Sequence, residues 1–195
     1  MNKRTITTIT LAGLVGLSAY TIYSLHTPEK PQAPAPVKQT AKAFPYEKEV
    51  HPFTPSPAVP LSDDLQRFAK AQADMNGVPY ILALAVMEQE SRFDLSADSG
   101  DSVGVMQINT CHGPKEIIME PYQNIRIGCR LLGMLYKEYH DWNKVLVAYN
   151  CGPAVAYEMY FRHGSISSPY SREVMFRTEK FAVLLGEESV LRPPR

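Results

Sequence analysis

The chain has 195 residues, 45% of them apolar, and its 20 Lys and Arg are balanced by 20 Asp and Glu. That length holds one ordinary domain with accessory segments. The even charge excludes the basic surface expected of a nucleic-acid binder. The balance is uneven along the chain: residues 1–60 carry six bases and three acids, residues 61–195 carry 14 bases and 17 acids. The folded part is therefore mildly acidic and would hold a phosphate backbone weakly.

Lys3 and Arg4 precede residues 5–25, 21 positions without a charge. About 20 apolar residues cross a bilayer as a helix. Residues 1–27 read as an uncleaved membrane anchor with the basic N-terminus inside. The rival is a cleaved signal peptide, although Leu17-Ser18-Ala19 is a poor cleavage site. The remainder then lies on the outer, periplasmic or cell-wall side of an inner membrane, or is secreted after cleavage. Residues 28–60 hold nine prolines in 33 positions. Proline fixes φ and lacks an amide donor, so an extended linker is expected, with a reach of roughly 100 Å when fully stretched.

The domain is assigned to residues 61–195, and its pattern is mostly α. Ser62 with Asp63 and Asp64 starts a helix that Asn76-Gly77 ends. Pro79 opens a second, Tyr80 to Ser91, apolar on every face through Met87 and therefore buried. Residues 94–104 read as a loop. Residues 103–108 are the one short strand candidate. A long helix follows over 122–140, shorter ones over 142–149 and 153–162, and a closing helix over 170–185 behind Ser168-Pro169.

Glu88 and Glu90 end the buried helix. Two residues turn the helix by about 200°, so the two carboxylates point apart. Glu90 shares a face with Ala83, Val86 and Met87. A carboxyl group on an apolar face loses water and its pKa rises, which suits a proton donor. A lone Glu at a helix end more often just reaches solvent, and Glu88 receives that structural or paired role.

Four blocks around Glu90 resemble the soluble-lytic type of lytic transglycosylase, which is related to goose-type lysozyme. They are Glu90-Ser91-Arg92-Phe93, Gly104-Val105-Met106-Gln107-Ile108, Asn124-Ile125-Arg126-Ile127-Gly128 and Ala148-Tyr149-Asn150-Cys151-Gly152. The resemblance implies a lysozyme-like helical domain with at most a small strand element near the active-site loop. It implies that peptidoglycan glycan strands are the substrate, cut between N-acetylmuramic acid and N-acetylglucosamine to leave 1,6-anhydro ends. It implies Glu90 as acid and then base, with Ser91, Met106, Gln107, Tyr149 and Asn150 along the glycan groove. No metal or cofactor is expected. Taken alone, Met106 would be core, Tyr149 a core aromatic with its hydroxyl at the surface, and Gln107 and Asn150 turn or cap residues. Asn124 reads as a helix cap and Gly128 as a packing position.

Ordinary glycosidases need a second carboxylate. Asp94, Asp98 and Asp101 are weak candidates in the loop, and a substrate that supplies its own nucleophile needs none. Cys111, Cys129 and Cys151 suggest one bridge and one leftover thiol, with the pairing open. Cys111-His112 raises a cysteine peptidase as a weak rival. Hydrolysis of the goose-lysozyme kind and non-catalytic glycan binding are further alternatives. Turnover, phage entry or release, or a place in an envelope-spanning machinery stay open as biological roles.

Overall fold

The computed structural model describes residues 53–189. The expected membrane segment and most of the Pro-rich linker lie outside the described residues. Among the described residues, no helix is long and apolar enough to cross a membrane.

Among the described residues, seven α-helices carry the fold: α1 (Asp63–Asn76), α2 (Tyr80–Ser91), α3 (Lys115–Met119), α4 (Pro121–Tyr139), α5 (Trp142–Cys151), α6 (Pro153–Met159) and α7 (Pro169–Leu185). Two short strands, β1 (Ser102–Val103) and β2 (Ile108–Asn109), pair antiparallel between α2 and α3.

The sequence signals explain most boundaries. Ser62 Oγ accepts from the Leu65 N–H (3.3 Å), and Gly77 leaves α1 with φ 67°. Pro79 stands one residue outside α2, and its carbonyl accepts from the Leu82 and Ala83 N–H groups. Every residue of α2 from Tyr80 to Met87 is buried. Burying a Leu, Ile, Val or Met side chain contributes about 1.5–3 kcal/mol, so α2 anchors the domain from its middle. α7 packs along α2 and α5, while α1 packs on α4. At the start of α7, Ser168 Oγ accepts from the Ser171 N–H (3.1 Å) and Ser171 Oγ from the Ser168 N–H (2.9 Å). That is a capping box.

Three expectations change. The strand candidate over residues 103–108 is a hairpin, because Gly104 at φ 75° and Gln107 at φ 46° turn the chain back on itself. α3 has no helical signal of its own beyond Pro114 at its cap. The helix expected over 153–162 stops at Met159 and tightens into a 3₁₀ turn over Phe161–His163.

Packing also begins before Leu61. Phe53 meets the Tyr80 ring edge-on at 5.2 Å, and Val59 is buried. The buried Gln66 side chain ties this segment down. Its Oε1 accepts from the Ser56 N–H (2.9 Å), and its Nε2 donates to the Ser56 (3.1 Å) and Leu61 (2.9 Å) carbonyls. Residues 53–60 form no helix or strand, as their prolines dictate.

Candidate active site

α2 stops abruptly after Ser91. Arg92 (φ 56°) and Phe93 (φ 66°) are both left-handed, which costs a non-glycine residue about 1 kcal/mol or more. Phe93 offsets this by burial and an edge contact with Phe181 at 6.2 Å. The stop leaves Glu90 in the final turn, half-buried. Glu88 faces away from it and pairs with Arg177 (3.0 Å), whose guanidinium also holds Gln89 (2.9 Å) and Glu173 (3.0 Å). Glu88 is thus ion-paired, whereas Glu90 takes part in no ion pair among the described residues.

The β1–β2 hairpin hangs beside Glu90 from three side chains. Asn124 is fully buried. Its Oδ1 accepts from the Met106 N–H (2.8 Å), and its Nδ2 donates to the Val103 (2.7 Å) and Ile118 (3.0 Å) carbonyls. Ser91 Oγ donates to the Val105 carbonyl (2.9 Å), and Tyr149 Oη donates to the Met106 carbonyl (2.9 Å). Gly104 lies so close to Asn124 that a Cβ would come within 2.3 Å of its Nδ2.

A cleft of about 840 Å³ opens over this arrangement, with Glu90 on its wall. Ser99, Ser102, Gln107 and Asn109 line the hairpin side, Leu131, Met134, Leu135 and Glu138 line the α4 side, and Tyr149 and Asn150 come from α5. Glu90 Oε1 accepts from Tyr170 Oη at 2.5 Å. Desolvation raises the Glu90 pKa above the ordinary Glu value, and the Tyr170 hydrogen bond opposes the rise. Burial and the nearby Glu90 carboxylate hold the Tyr149 and Tyr170 hydroxyls well above the ordinary Tyr range, so both stay protonated.

Of the six residues expected at the site, four line the cleft: Glu90, Gln107, Tyr149 and Asn150. Gln107 is partly committed, since its Nε2 donates to the Gly104 carbonyl (3.0 Å) and its Oε1 accepts from Ser99 Oγ (2.8 Å). Met106 and Ser91 are corrected. The Met106 side chain is fully buried beneath Gly128, where a Cβ would meet its Sδ at 2.3 Å, so only its backbone serves the site. Ser91 spends its hydroxyl on the hairpin and is not among the cleft-lining residues. Asn124 is not the cap of α4; Glu120 is, accepting from the Gln123 N–H (2.8 Å).

Tyr170 and Glu138 were not anticipated. Tyr170 sits just behind the Ser168-Pro169 helix start, but no local pattern aims it at a residue 80 positions earlier. The expected disulfide does not form, and all three thiols are free. Cys129 is buried in α4, where desolvation pushes its pKa up to about 12. Cys111 and Cys151 both line the cleft, and Cys151 Sγ donates to the Val147 carbonyl (3.1 Å). His112 lines it too, and no hydrogen bond joins it to Cys111 among the described residues. In the loop, Asp94 accepts from Ser96 and Asp98 pairs with Lys115 (2.7 Å).

Residues 67–159 match the family model described as the transglycosylase SLT domain. No curated protein matches the chain. Among solved structures, this chain is similar to an inactive Glu-to-Gln mutant of the lytic transglycosylase Slt from Pseudomonas aeruginosa. The TM-score is 0.56 at 18% identity, over 69% of this chain and 26% of that one. That likeness shows a shared fold. The matched segment spans only about a quarter of the Pseudomonas structure. The family match takes in Glu90, the hairpin, α4, Tyr149 and Asn150, and stops short of Tyr170.

Proposed function

We propose that the domain is a peptidoglycan lytic transglycosylase that cuts the β-1,4 bond from N-acetylmuramic acid to N-acetylglucosamine. One observation carries this reading: a half-buried carboxyl group, Glu90, faces a long cleft with its pKa raised and one oxygen held by a tyrosine. A carboxylic acid kept protonated near neutral pH can donate to a leaving oxygen.

The chemistry follows from which oxygen is free. Tyr170 Oη occupies Glu90 Oε1, so the proton resides on Oε2. Glu90 passes it to the glycosidic oxygen as the C1–O bond breaks. The resulting carboxylate accepts the proton of the muramoyl C6 hydroxyl, O6 bonds to C1, and Glu90 regains its acid form. The same proton count is restored, and no water enters the products. Tyr170 stabilises the carboxylate between the two steps through a charge-assisted bond. Gln107 and Asn150 offer both donors and acceptors to sugar hydroxyl and acetamido groups. The family match, and the Glu-to-Gln inactivation named for the Pseudomonas relative, support this assignment.

Hydrolysis of the goose-lysozyme kind is the second reading, favoured by one observation. Glu138 is a second carboxylate lining the same cleft, a position for a residue that would activate water. Mass spectrometry of digested sacculi separates the two. Anhydromuramoyl ends support transglycosylation, whereas reducing ends alone would assign hydrolysis.

A further inference from the structure

We infer that α4 forms a second recognition surface in the cleft, one that receives a primary ammonium group carried by the glycan strand. The inference rests on the reading of the cleft as a glycan site and adds a specificity to it.

Leu131, Met134, Leu135 and Glu138 follow one another at i, i+3, i+4 and i+7. That spacing makes one stripe on a helix. All four line the cleft, as do Ser102 and Asn109 of the hairpin with their hydroxyl and amide groups. The cleft is thus two-faced. The hairpin side suits sugar hydroxyls. The α4 side is apolar, and Met134 is 53% exposed there. Apolar surface left open inside a concave site marks a place where a ligand covers it.

Glu138 ends the stripe. Its carboxylate is exposed, interacts with the hydroxyl of Tyr139 and forms no ion pair among the described residues. Among the described residues, no Lys or Arg lines the cleft. Its ionisable lining residues besides the cysteines and Tyr149 are Glu90, His112 and Glu138, and with Glu90 in its acid form Glu138 is the anionic group the cleft presents to a cation. Sugar rings carry no cation, so a charge-paired partner for Glu138 comes from a substituent. The apolar stripe covers the aliphatic part of that substituent, and Glu138 pairs with its ammonium. Two sources share this chemistry: the free amine of a stem peptide, and the 2-amine of a sugar that lacks its N-acetyl group.

The test uses the full chain carrying Glu90→Gln, which retains a strand uncut, and measures Kd for three ligand pairs. The first pair is peptide-bearing strands with free amines against the same strands after chemical acetylation. The second is stem-free, partly de-N-acetylated strands against their re-acetylated counterparts. The third repeats both in Glu90→Gln/Glu138→Gln. One partly exposed ion pair shifts affinity roughly three- to fivefold. The inference expects that preference for the free amine in at least one of the first two pairs, which names the source, and its disappearance with Glu138→Gln. Equal affinity for free and acetylated amines in both pairs would overturn it. So would a preference that survives Glu138→Gln. KM values of the cleaving protein for the same strands give a second readout. Failure of the catalytic reading is seen separately, as absence of anhydro ends from every strand.

Discussion

Tyr170 donates a hydrogen bond to Glu90 from 80 residues away, at 2.5 Å, and joins the first turn of α7 to the last turn of α2. Two opposed effects meet at that bond. Burial favours the neutral carboxyl, and the tyrosine favours the carboxylate. Tyr170→Phe removes the second effect. The Glu90 pKa should then rise further, moving the alkaline limb of the rate profile to higher pH. The carboxylate formed between the two steps loses its partner, so kcat should fall about tenfold, the worth of one charge-assisted bond. A pH–rate profile of the variant checks both. An unmoved limb would mean that the bond does not tune Glu90.

Because the acid form donates the proton, activity should decline as pH rises through the raised Glu90 pKa. Stability follows the same sign. The folded-state pKa lies above the unfolded value, so the proton's stabilising contribution is complete below about pH 4.3 and is lost as pH rises through the folded pKa. Gln carries no charge. Thermal unfolding at neutral pH should find Glu90→Gln at least as stable as the parent. A lower melting temperature there would argue that ionised Glu90 is stabilising and the desolvation argument wrong.

Asn124 holds the hairpin by three buried bonds. Asn124→Ala would leave two carbonyls and one N–H without partners, at a cost of about 3 kcal/mol or more. Gly104→Ala pushes a Cβ into Asn124 at a left-handed position and should cost about 1–3 kcal/mol. Denaturant unfolding measures both. A neutral result for Gly104→Ala would show that the hairpin can shift away from α4.

The N-terminal edge of the fold makes a further prediction. A chain starting at Leu61 loses the burial of Val59, the Phe53–Tyr80 ring contact and three hydrogen bonds of Gln66. It should be less stable than one starting at Phe53 by about 2 kcal/mol or more. Equal stabilities would show that this segment merely rests on the domain.

Most of the architecture was legible from local signals. The all-round apolar run of α2, Ser62 and Gly77 around α1, and the Ser168-Pro169 start of α7 each fix an element through its own residues. At the cleft, Glu90 stood out from the apolar face of its own helix, whereas Tyr149 and Asn150 were singled out only by the family resemblance; all three line the cleft. The site was not legible where tertiary contacts decide. Met106 reads as core by itself and as a groove residue only by resemblance, and the structure buries it beneath Gly128. Ser91 reads as a groove residue, also by resemblance, until Val105 takes its hydroxyl. The left-handed pair Arg92-Phe93, the hairpin's double turn and the reach of Tyr170 to Glu90 depend on packing partners far along the chain.

The central claim is that one carboxyl group both gives and takes the proton. Its most direct test is muropeptide mass spectrometry of sacculi digested by the parent protein and by Glu90→Gln, with circular dichroism to verify the fold. The expected result is anhydromuramoyl ends from the parent and a loss of about 10²–10⁴-fold in their rate of formation for a well-folded Glu90→Gln. Anhydro ends formed by Glu90→Gln at the parent's rate would contradict the account.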